Sequence, residues 1–451
     1  MSQDSSPKGS PFVKDPVFLA ELQKLRQTDN TTNFFYLART WLTIAIVIAF
    51  AVGFYQYQAT HGISFFWNIP LTLLAITMIG ALQHQLTGLA HEASHHTLLK
   101  HRYMNDLVSD LFCMFPMFSS THHYRLQHMA HHQFVNDPDR DPDVSQLKTS
   151  GHWISFPVSK SQFLATLAKQ LVPTRLIKYI RVRAQYNSVG THHNPYAKKG
   201  HKPSRVPVLV GILYMLSLVG GLTGLLYLGN ATLLAGLPLL AWAGMMIFYS
   251  LIPAEWFHQS RVHPVISARH MTLMRITFIS AIFNGLAWIN FLTGAPTAVY
   301  FALLWVVPII TSFSFFMILR QLVQHGNGDR GFLTNTRTFF VHPLIRFAVF
   351  PLGQDYHLPH HMFATVPHYR LPLLHQLLSR YAEYLEQGVV VEGYFWPIHQ
   401  PQSKPTVLDV VGPAFDYGSA HEIHIDDSVL EQDKVDGAEN LTAQAVRRQA
   451  S

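Results

Sequence analysis

The chain has 451 residues, of which 49% are apolar and only 13% charged, with 33 Lys and Arg against 26 Asp and Glu. Soluble domains average about 25% charged residues, so charge is scarce, whereas the 28 histidines outnumber the carboxylates. Cys113 is the single cysteine, which excludes a disulfide scaffold, a thiolate zinc finger and a cysteine-ligated iron–sulfur cluster.

The first 38 residues are predicted to form a cytoplasmic N-terminal segment. Their polar start lacks the basic region and the early apolar core of a signal peptide. Residues 15–27 are expected to form a short amphipathic helix ahead of the first membrane span.

Three stretches without any Asp, Glu, Lys or Arg dominate the rest of the chain. They cover residues 40–91, 206–254 and 276–319, and each is about twice the roughly 20 residues that one membrane helix needs. Turn signals near their middles lie at residues 58–62, 229–231 and 293–296. We therefore predict an all-α integral membrane protein of three transmembrane helical hairpins, about six spans, with a cytoplasmic helical cap.

The distribution of charge predicts the orientation of these hairpins. Hairpins return the chain to the side it left, and every Lys and Arg lies outside the three short turns. The positive-inside rule then places both termini in the cytoplasm. The net charge of +7 is explained by anionic headgroups, so no nucleic-acid partner is predicted.

The C-terminal part changes in composition after about residue 400. It becomes rich in Asp, Ser, Gln and Ala and poor in aromatic residues, as disordered segments are. The predicted organisation is a membrane domain at 39–400 followed by a disordered tail at 401–451.

Three histidine motifs lie in the segments that are predicted to form the cytoplasmic helical cap. An HxxxHH motif covers residues 91–96, and HxxHH motifs cover 128–132 and 357–361. At this histidine content roughly 0.1 copies of HxxHH are expected by chance. Composition alone therefore does not explain the two copies.

The spacing of the motifs suits metal binding. Residues at i, i+3 and i+4 share one helix face, so the histidines of the second motif are predicted to project together. His91 would align with His95, whereas His96 would point elsewhere unless the helix ends there. His360 follows Pro359, which favours a helix start at the third motif.

The number and type of these ligands indicate the metals. Neutral imidazole suits iron, zinc, copper and nickel, and a catalytic zinc takes three protein ligands. Eight or more clustered histidines favour a two-metal site, and the lack of thiolates favours oxygen-reactive iron. His84, seven residues before His91 and inside the second span, is predicted to orient a ligand or to line a substrate channel.

The three motifs and their placement on hairpins resemble the membrane fatty acid desaturase and hydroxylase superfamily, whose histidine boxes hold two irons. The resemblance covers roughly residues 35–390, and the segment 366–372 also resembles acyl desaturases. It implies two irons per chain on the cytoplasmic face. The implied ligands are His91 and His95 in the first box, His128, His131 and His132 in the second, and His357, His360 and His361 in the third.

The resemblance implies further site residues. His325 fits the extra ligand that acyl desaturases place before the third box, although Gln324 stands where Glu is usual. Gln321, one turn earlier, is expected to hold a metal-bound water. His96 competes with His95, because some members space the first box one residue wider.

Carboxylates normally orient metal-binding imidazoles, and several are close in sequence. Glu92 and Asp355 are candidates, as is the Asp-Pro run at 136–143. This run is equally typical of turns and helix caps. It also resembles carotenoid hydroxylases and ketolases of the same superfamily.

The resulting hypothesis is an oxygen-dependent desaturase that introduces a cis double bond into an acyl chain, in a bacterial inner membrane. Two alternatives stay open: a hydroxylase or ketolase acting on a carotenoid, alkane or sphingoid chain, and a metal transporter or sensor. If the protein were a transporter, we would expect ionisable residues near the bilayer midplane. The three charge-free stretches contain few. The chain has no His-Pro-Gly-Gly haem segment, so a separate ferredoxin, rubredoxin or cytochrome b5 is expected to supply electrons.

Overall fold

The computed structural model describes residues 15–189 and 194–416, and helices make up nearly all of the regular structure there. Short 3₁₀ or π-helical turns cover Phe65–Trp67, Asp110–Met114 and Gln185–Val189. The α-helices of the first half are α1 (Pro16–Leu25), α2 (Thr32–His61), α3 (Asn68–Ser94), α4 (Arg102–Ser109), α5 (Thr121–Gln133), α6 (Pro142–Ser150), α7 (Lys160–Gln170) and α8 (Pro173–Ala184).

The second half combines long, apolar helices with short ones outside the candidate membrane spans. Its α-helices are α9 (Val206–Leu228), α10 (Ala231–Leu251), α11 (Ala268–Thr293), α12 (Thr297–Phe301), α13 (Ser314–Gln324), α14 (Pro343–Ala348), α15 (His357–Met362), α16 (Leu371–Leu378), α17 (Ala382–Gln387) and α18 (Val407–Val410). Further 3₁₀ or π-helical turns cover Ala254–Trp256, Ala302–Val306, Ile309–Phe313 and His368–Arg370. Strands β1 (Arg337–Phe340) and β2 (Val389–Glu392) form one small parallel sheet.

Six helical segments of the described chain are long and apolar enough to cross a membrane. They are Thr32–His61, Phe65–Ser94, Val206–Leu228, Ala231–Leu251, Ala268–Thr293 and Thr297–Gln324. The predicted all-α fold is confirmed, and the chain is a multi-pass membrane protein.

In each of the three hairpins, a glycine follows the last residue of the first helix. Gly62, Gly229 and Gly294 have φ angles of 65°, 65° and 71°. This left-handed conformation is strained for residues with a side chain and open to glycine. The turns therefore form where the sequence places glycine between two apolar helices.

A close contact joins α3 to the sixth span. A Cβ atom added to Gly80 would lie 2.6 Å from the backbone nitrogen of Phe313, which is too near for any other residue. The Ser312 hydroxyl donates to the carbonyl of Ile76 across 2.6 Å. This packing fixes the position of α3, which carries the first histidine motif, relative to the helix that ends just before His325.

The start of the described chain packs against α16. Helix α1 matches the predicted amphipathic helix, and its Phe18 and Leu22 are buried against the residues around Leu374. Residues 1–14 lie outside the described residues.

The start of the predicted disordered tail needs correction. Residues 401–416 include α18, whose Val407 and Val410 are fully buried. The Val158 N–H donates to the Val411 carbonyl across 3.0 Å, and Lys160 pairs with Asp409 across 2.7 Å. The chain is therefore ordered beyond residue 400, at least as far as residue 416, because these valines complete the core. The rest of the predicted tail, 417–451, lies outside the described residues.

Candidate metal centre

Nine histidines of the described chain converge in two groups. Within each group the ligating nitrogens all lie within 4.8 Å of one another. We call them cluster A, which contains His91, His95, His128, His132 and His360, and cluster B, which contains His131, His325, His357 and His361.

The helical repeat explains why one motif supplies both clusters. Successive residues of an α-helix are about 100° apart. In α5, His132 therefore points to cluster A while its neighbour His131 points to cluster B. In α15, His360 and His361 divide in the same way. Two short helices thus hold the clusters side by side.

The distances between Nε2 atoms fit a metal ion at each cluster. In cluster A they are 2.8 Å for His95–His128, 3.1 Å for His128–His132 and 3.1 Å for His132–His360. In cluster B they are 3.1 Å for His131–His325, 2.9 Å for His325–His357 and 3.1 Å for His357–His361. Two nitrogens bound at right angles to one ion, each at about 2.1 Å, are about 3.0 Å apart.

Hydrogen bonding alone does not satisfy these nitrogens. His128 Nε2 contacts two other Nε2 atoms, and one ring nitrogen offers either one proton or one lone pair. Both ring nitrogens of His91 are buried without a hydrogen-bond partner among the described residues, and its ring lies 4.4 Å from that of His128. A cation between converging lone pairs resolves both observations.

Most of these imidazoles are held in the neutral form that binds metals. Burial lowers the pKa of His95, His128 and His360 well below the usual range. His131 differs: burial alone would lower its pKa, but the carboxylates of Asp141 and Asp143 outweigh this and raise it to about 9. The same negative charge favours a metal cation beside His131.

One side-chain acceptor and one backbone acceptor orient two histidines of cluster B. His131 Nδ1 lies 3.0 Å from Asp141 Oδ1, and His325 Nδ1 lies 3.0 Å from the carbonyl of Asn335. Each contact places the proton on Nδ1 and directs Nε2 into the cluster. Asp141 belongs to the Asp-Pro run, whereas nothing in the sequence pointed to Asn335.

The Asp-Pro run combines both predicted roles. Asp137 accepts from the backbone of Asp139 and Arg140 and stabilises a turn. Asp141 caps α6 by accepting from the Asp143 N–H across 2.9 Å, and it also contacts His131.

The structure separates the competing first-motif histidines. His95 belongs to cluster A and ends α3, whereas His96 has a positive φ of 57° and lies outside both clusters. His96 Nδ1 lies 3.9 Å from Asp106 Oδ1 instead. The helix end at His95 turns the following side chain away from the site.

The other predicted site residues lie at varying distances from the clusters. Glu92 Oε1 is 3.6 Å from His91 Nδ1, and Glu92 Oε2 accepts from the His368 N–H across 2.9 Å. His84 Nδ1 is 2.7 Å from the Ala348 carbonyl and is in neither cluster. Asp355 pairs with Arg346 across 2.8 Å, since its side chain points to α14 rather than to a motif histidine.

Gln321 faces a small polar chamber between the clusters. The chamber has a volume of about 30 Å³, enough for a water molecule, and is also lined by His91, His128 and His131. The Tyr179 hydroxyl donates to Gln321 Oε1. The predicted water-holding position of Gln321 is compatible with this geometry.

An apolar cavity of about 900 Å³ lies among α2, α11 and the sixth span. Trp41 and Trp305 form part of its wall and stack with ring centres 5.6 Å apart. Their indole N–H groups donate to the carbonyls of Phe112 and Pro116, so the two indoles present apolar surface to the cavity. Phe118, which also lines the cavity, lies three residues before the first residue of α5, Thr121.

Comparison with known proteins agrees with this arrangement. The family model described as fatty acid desaturase matches residues 71–263 and 237–392. The chain is 33% identical over 144 residues to dihydrorhizobitoxine desaturase of Bradyrhizobium elkanii, covering 32% of this chain and 37% of that protein. It is 26% identical over 260 residues to the omega-6 fatty acid desaturase, endoplasmic reticulum isozyme 1, of Glycine max, covering 52% of this chain and 62% of that protein.

A third relative is the delta(5) fatty acid desaturase fat-4 of Caenorhabditis elegans. It is 32% identical over 111 residues, which are 24% of this chain and 22% of the relative. None of the three alignments reaches two thirds of the relative's length.

Proposed function

The chain belongs to the fatty acid desaturase family, and we propose that it is a di-iron enzyme that uses dioxygen to introduce a cis double bond into an acyl chain. Membership of the family makes it an oxidoreductase of the membrane. The observation that carries the finer proposal is the convergence of nine imidazoles, eight of them buried, in two adjacent clusters.

The donor set fits two irons, one at cluster A and one at cluster B. Imidazole nitrogen is a suitable ligand for iron, and the Nε2 spacing near 3 Å in both clusters matches metal binding. When bound, the irons supply the reduction of dioxygen and the removal of hydrogen from an unactivated C–H bond, which no side chain achieves.

The side chains of the protein position and protect the reacting groups. Asp141 keeps the proton of His131 on Nδ1. Gln321 and Tyr179 hold the wall of the chamber. The stacked Trp41 and Trp305 give the apolar cavity a rigid wall, against which an acyl chain is held so that one methylene meets the metal centre.

Two of the three relatives are named fatty acid desaturases, and the apolar cavity supports an acyl substrate in this chain as well. The relative from Bradyrhizobium elkanii is named for dihydrorhizobitoxine. The acyl proposal therefore rests on the cavity and on the two fatty acid desaturases together.

The stoichiometry requires an external electron donor. Desaturation removes two hydrogen atoms from the substrate, and two further electrons and two protons complete the reduction of one dioxygen to two waters. A separate ferredoxin, rubredoxin or cytochrome b5 is the proposed source. The metal centre and both termini are proposed to face the cytoplasm of a bacterial inner membrane, which the clustering of Lys and Arg outside the hairpin turns supports.

Product analysis tests this proposal. The protein is expressed in a host without such enzymes, and its lipids are profiled by mass spectrometry. A loss of two mass units from an acyl chain is expected, and it should vanish in His360→Ala. A gain of sixteen mass units would instead identify a hydroxylase and would contradict desaturation.

A further inference from the structure

The basic residues of the chain are distributed very unevenly. Residues 144–205 contain eleven Lys and Arg and no Asp or Glu. The remaining residues carry 22 basic against 26 acidic side chains. A positive surface of this kind attracts an acidic partner and speeds its association.

Three of these cations lie next to the exposed Trp153 or to Gly151, two residues before it. The Lys148 Nζ lies 5.7 Å from the ring centre of Trp153. Arg175 donates to the Gly151 carbonyl across 3.3 Å, and Lys178 Nζ lies 3.5 Å from the position of a Cβ on Gly151. None of the three cations forms an ion pair within residues 15–189 and 194–416, and Trp153 is 40% exposed.

The same tryptophan borders the metal centre. Trp153, His131 and His325 line one cavity of about 410 Å³. Carboxylates also line that cavity, at Asp141, Asp143 and Asp329. Asp141 is engaged with His131, and Asp329 accepts from the Gly331 N–H across 2.8 Å. The basic side chains of Lys148, Arg175 and Lys178 are not among the residues that line the cavity.

A second packed route leads from this surface to the polar chamber. The ring of His152, next to Trp153, lies 5.2 Å from that of Tyr179. The Tyr179 hydroxyl donates to Gln321, which lines both the chamber and the 410 Å³ cavity. The surface around Trp153 is thus connected by side chains to both clusters.

We propose that Lys148, Trp153, Arg175 and Lys178 form the docking surface for a small acidic protein that carries one electron at a time. This inference rests on the proposed function, which needs two electrons per turnover. The carrier would give up one electron at each docking, and His131 and His325 would be among the residues that hold the iron receiving it. Two successive dockings supply the two electrons that one turnover needs.

An anionic lipid surface is the competing partner. Helices α7 and α8 expose Leu164, Leu171 and Ile177, as interfacial helices do. The link from Trp153 through the cavity to cluster B favours the carrier, because a lipid headgroup needs no route to the metals. The experiment below separates the two.

Binding is measured with the iron-loaded, full-length protein in nanodiscs of neutral phosphatidylcholine. The probe is an oxidised acidic [2Fe–2S] ferredoxin, titrated at low and high salt. The variant Lys148→Glu/Lys178→Glu should weaken binding by about tenfold or more, since steering charges change association by about 10 to 1,000-fold. The control Lys199→Glu/Lys202→Glu has the same change of charge on exposed residues of the same basic segment, and it should weaken binding by less than about threefold.

Turnover gives a second measurement. Each variant is assayed with reduced ferredoxin and with dithionite plus methyl viologen. The ratio of ferredoxin-supported to dithionite-supported turnover should fall in the Lys148/Lys178 variant and stay at the native value in the control. Trp153→Leu should lower the same ratio, because the aromatic ring that borders the cavity is lost.

Three results would overturn the docking surface. The first is unchanged ferredoxin affinity in Lys148→Glu/Lys178→Glu, and the second is equal weakening in the control variant. The third, when the titration is repeated in nanodiscs containing phosphatidylglycerol, is a loss that appears there but not in neutral phosphatidylcholine. Absence of product with either reductant in the native protein would contradict the proposed function instead, since the binding measurement does not depend on turnover.

Discussion

His131 and Asp141 form a buried pair in which the ring Nδ1 and the carboxylate oxygen are 3.0 Å apart. Asp141 is 1% exposed, and His131 is a member of cluster B. Asp141→Asn keeps a side chain that caps α6 but removes the charge that orients His131. We expect iron affinity to fall by about 10- to 100-fold, measured as iron retained against a chelator. Asp139→Asn, on an exposed neighbour, should retain native affinity, and equal losses in both variants would contradict the role of Asp141.

The two neighbouring histidines of the first motif should behave differently. His95 Nε2 lies 2.8 Å from His128 Nε2, whereas His96 is outside both clusters and has a positive φ. His95→Asn should lower iron content and abolish activity. His96→Asn should keep native iron content, because asparagine tolerates the left-handed conformation. Loss of iron in the His96 variant alone would reverse the assignment.

Gly80 sets the distance between α3 and the sixth span. A methyl group there would meet the backbone of Phe313, and overpacking typically costs about 1–3 kcal/mol. Gly80→Ala should lower the melting temperature and also the iron content, because α3 carries His91 and His95. Gly53→Ala is the matched control, since nothing lies within 4 Å of an added Cβ in α2. Equal stability of the two variants would show that the helices adjust freely.

The apolar cavity should determine the length of the acyl chain. Ile48 lines it, on the same helix as Trp41. Ile48→Trp fills part of the cavity and should shift products toward shorter chains, measured by gas chromatography of the fatty acid esters. Ile46→Trp is the control, because Ile46 is 58% exposed on the outer face of α2. An unchanged chain-length profile in the Ile48 variant would place the acyl chain elsewhere.

The membrane fold was predictable because it depends on local composition. Charge-free tracts with central glycines indicate hairpins, and Gly62, Gly229 and Gly294 occupy those turns. The C-terminal boundary was not predictable in the same way. Taken as a whole, residues 401–451 have the composition of a tail, which hides the mostly apolar run at 407–411. The order of that run comes from Val407 and Val410 packing against residues far away in sequence.

The site shows the same division between local and long-range information. The helical spacing of His128, His131 and His132 predicted that they act together. It did not predict that they divide between two clusters, because that depends on α15 lying beside α5. The choice of His95 over His96 follows from where α3 ends, and the contact of Asn335 with His325 follows from a loop that no motif marks.

The iron content of the purified protein tests the central claim most directly. Metal analysis by mass spectrometry should give about two irons per chain in the native protein. The number of irons per chain should be lower in His360→Ala, which alters cluster A, and in His325→Ala, which alters cluster B. The control His61→Ala should have the native iron content. One iron or none per chain in the native protein, or zinc in place of iron, would contradict a di-iron centre built from the two histidine clusters.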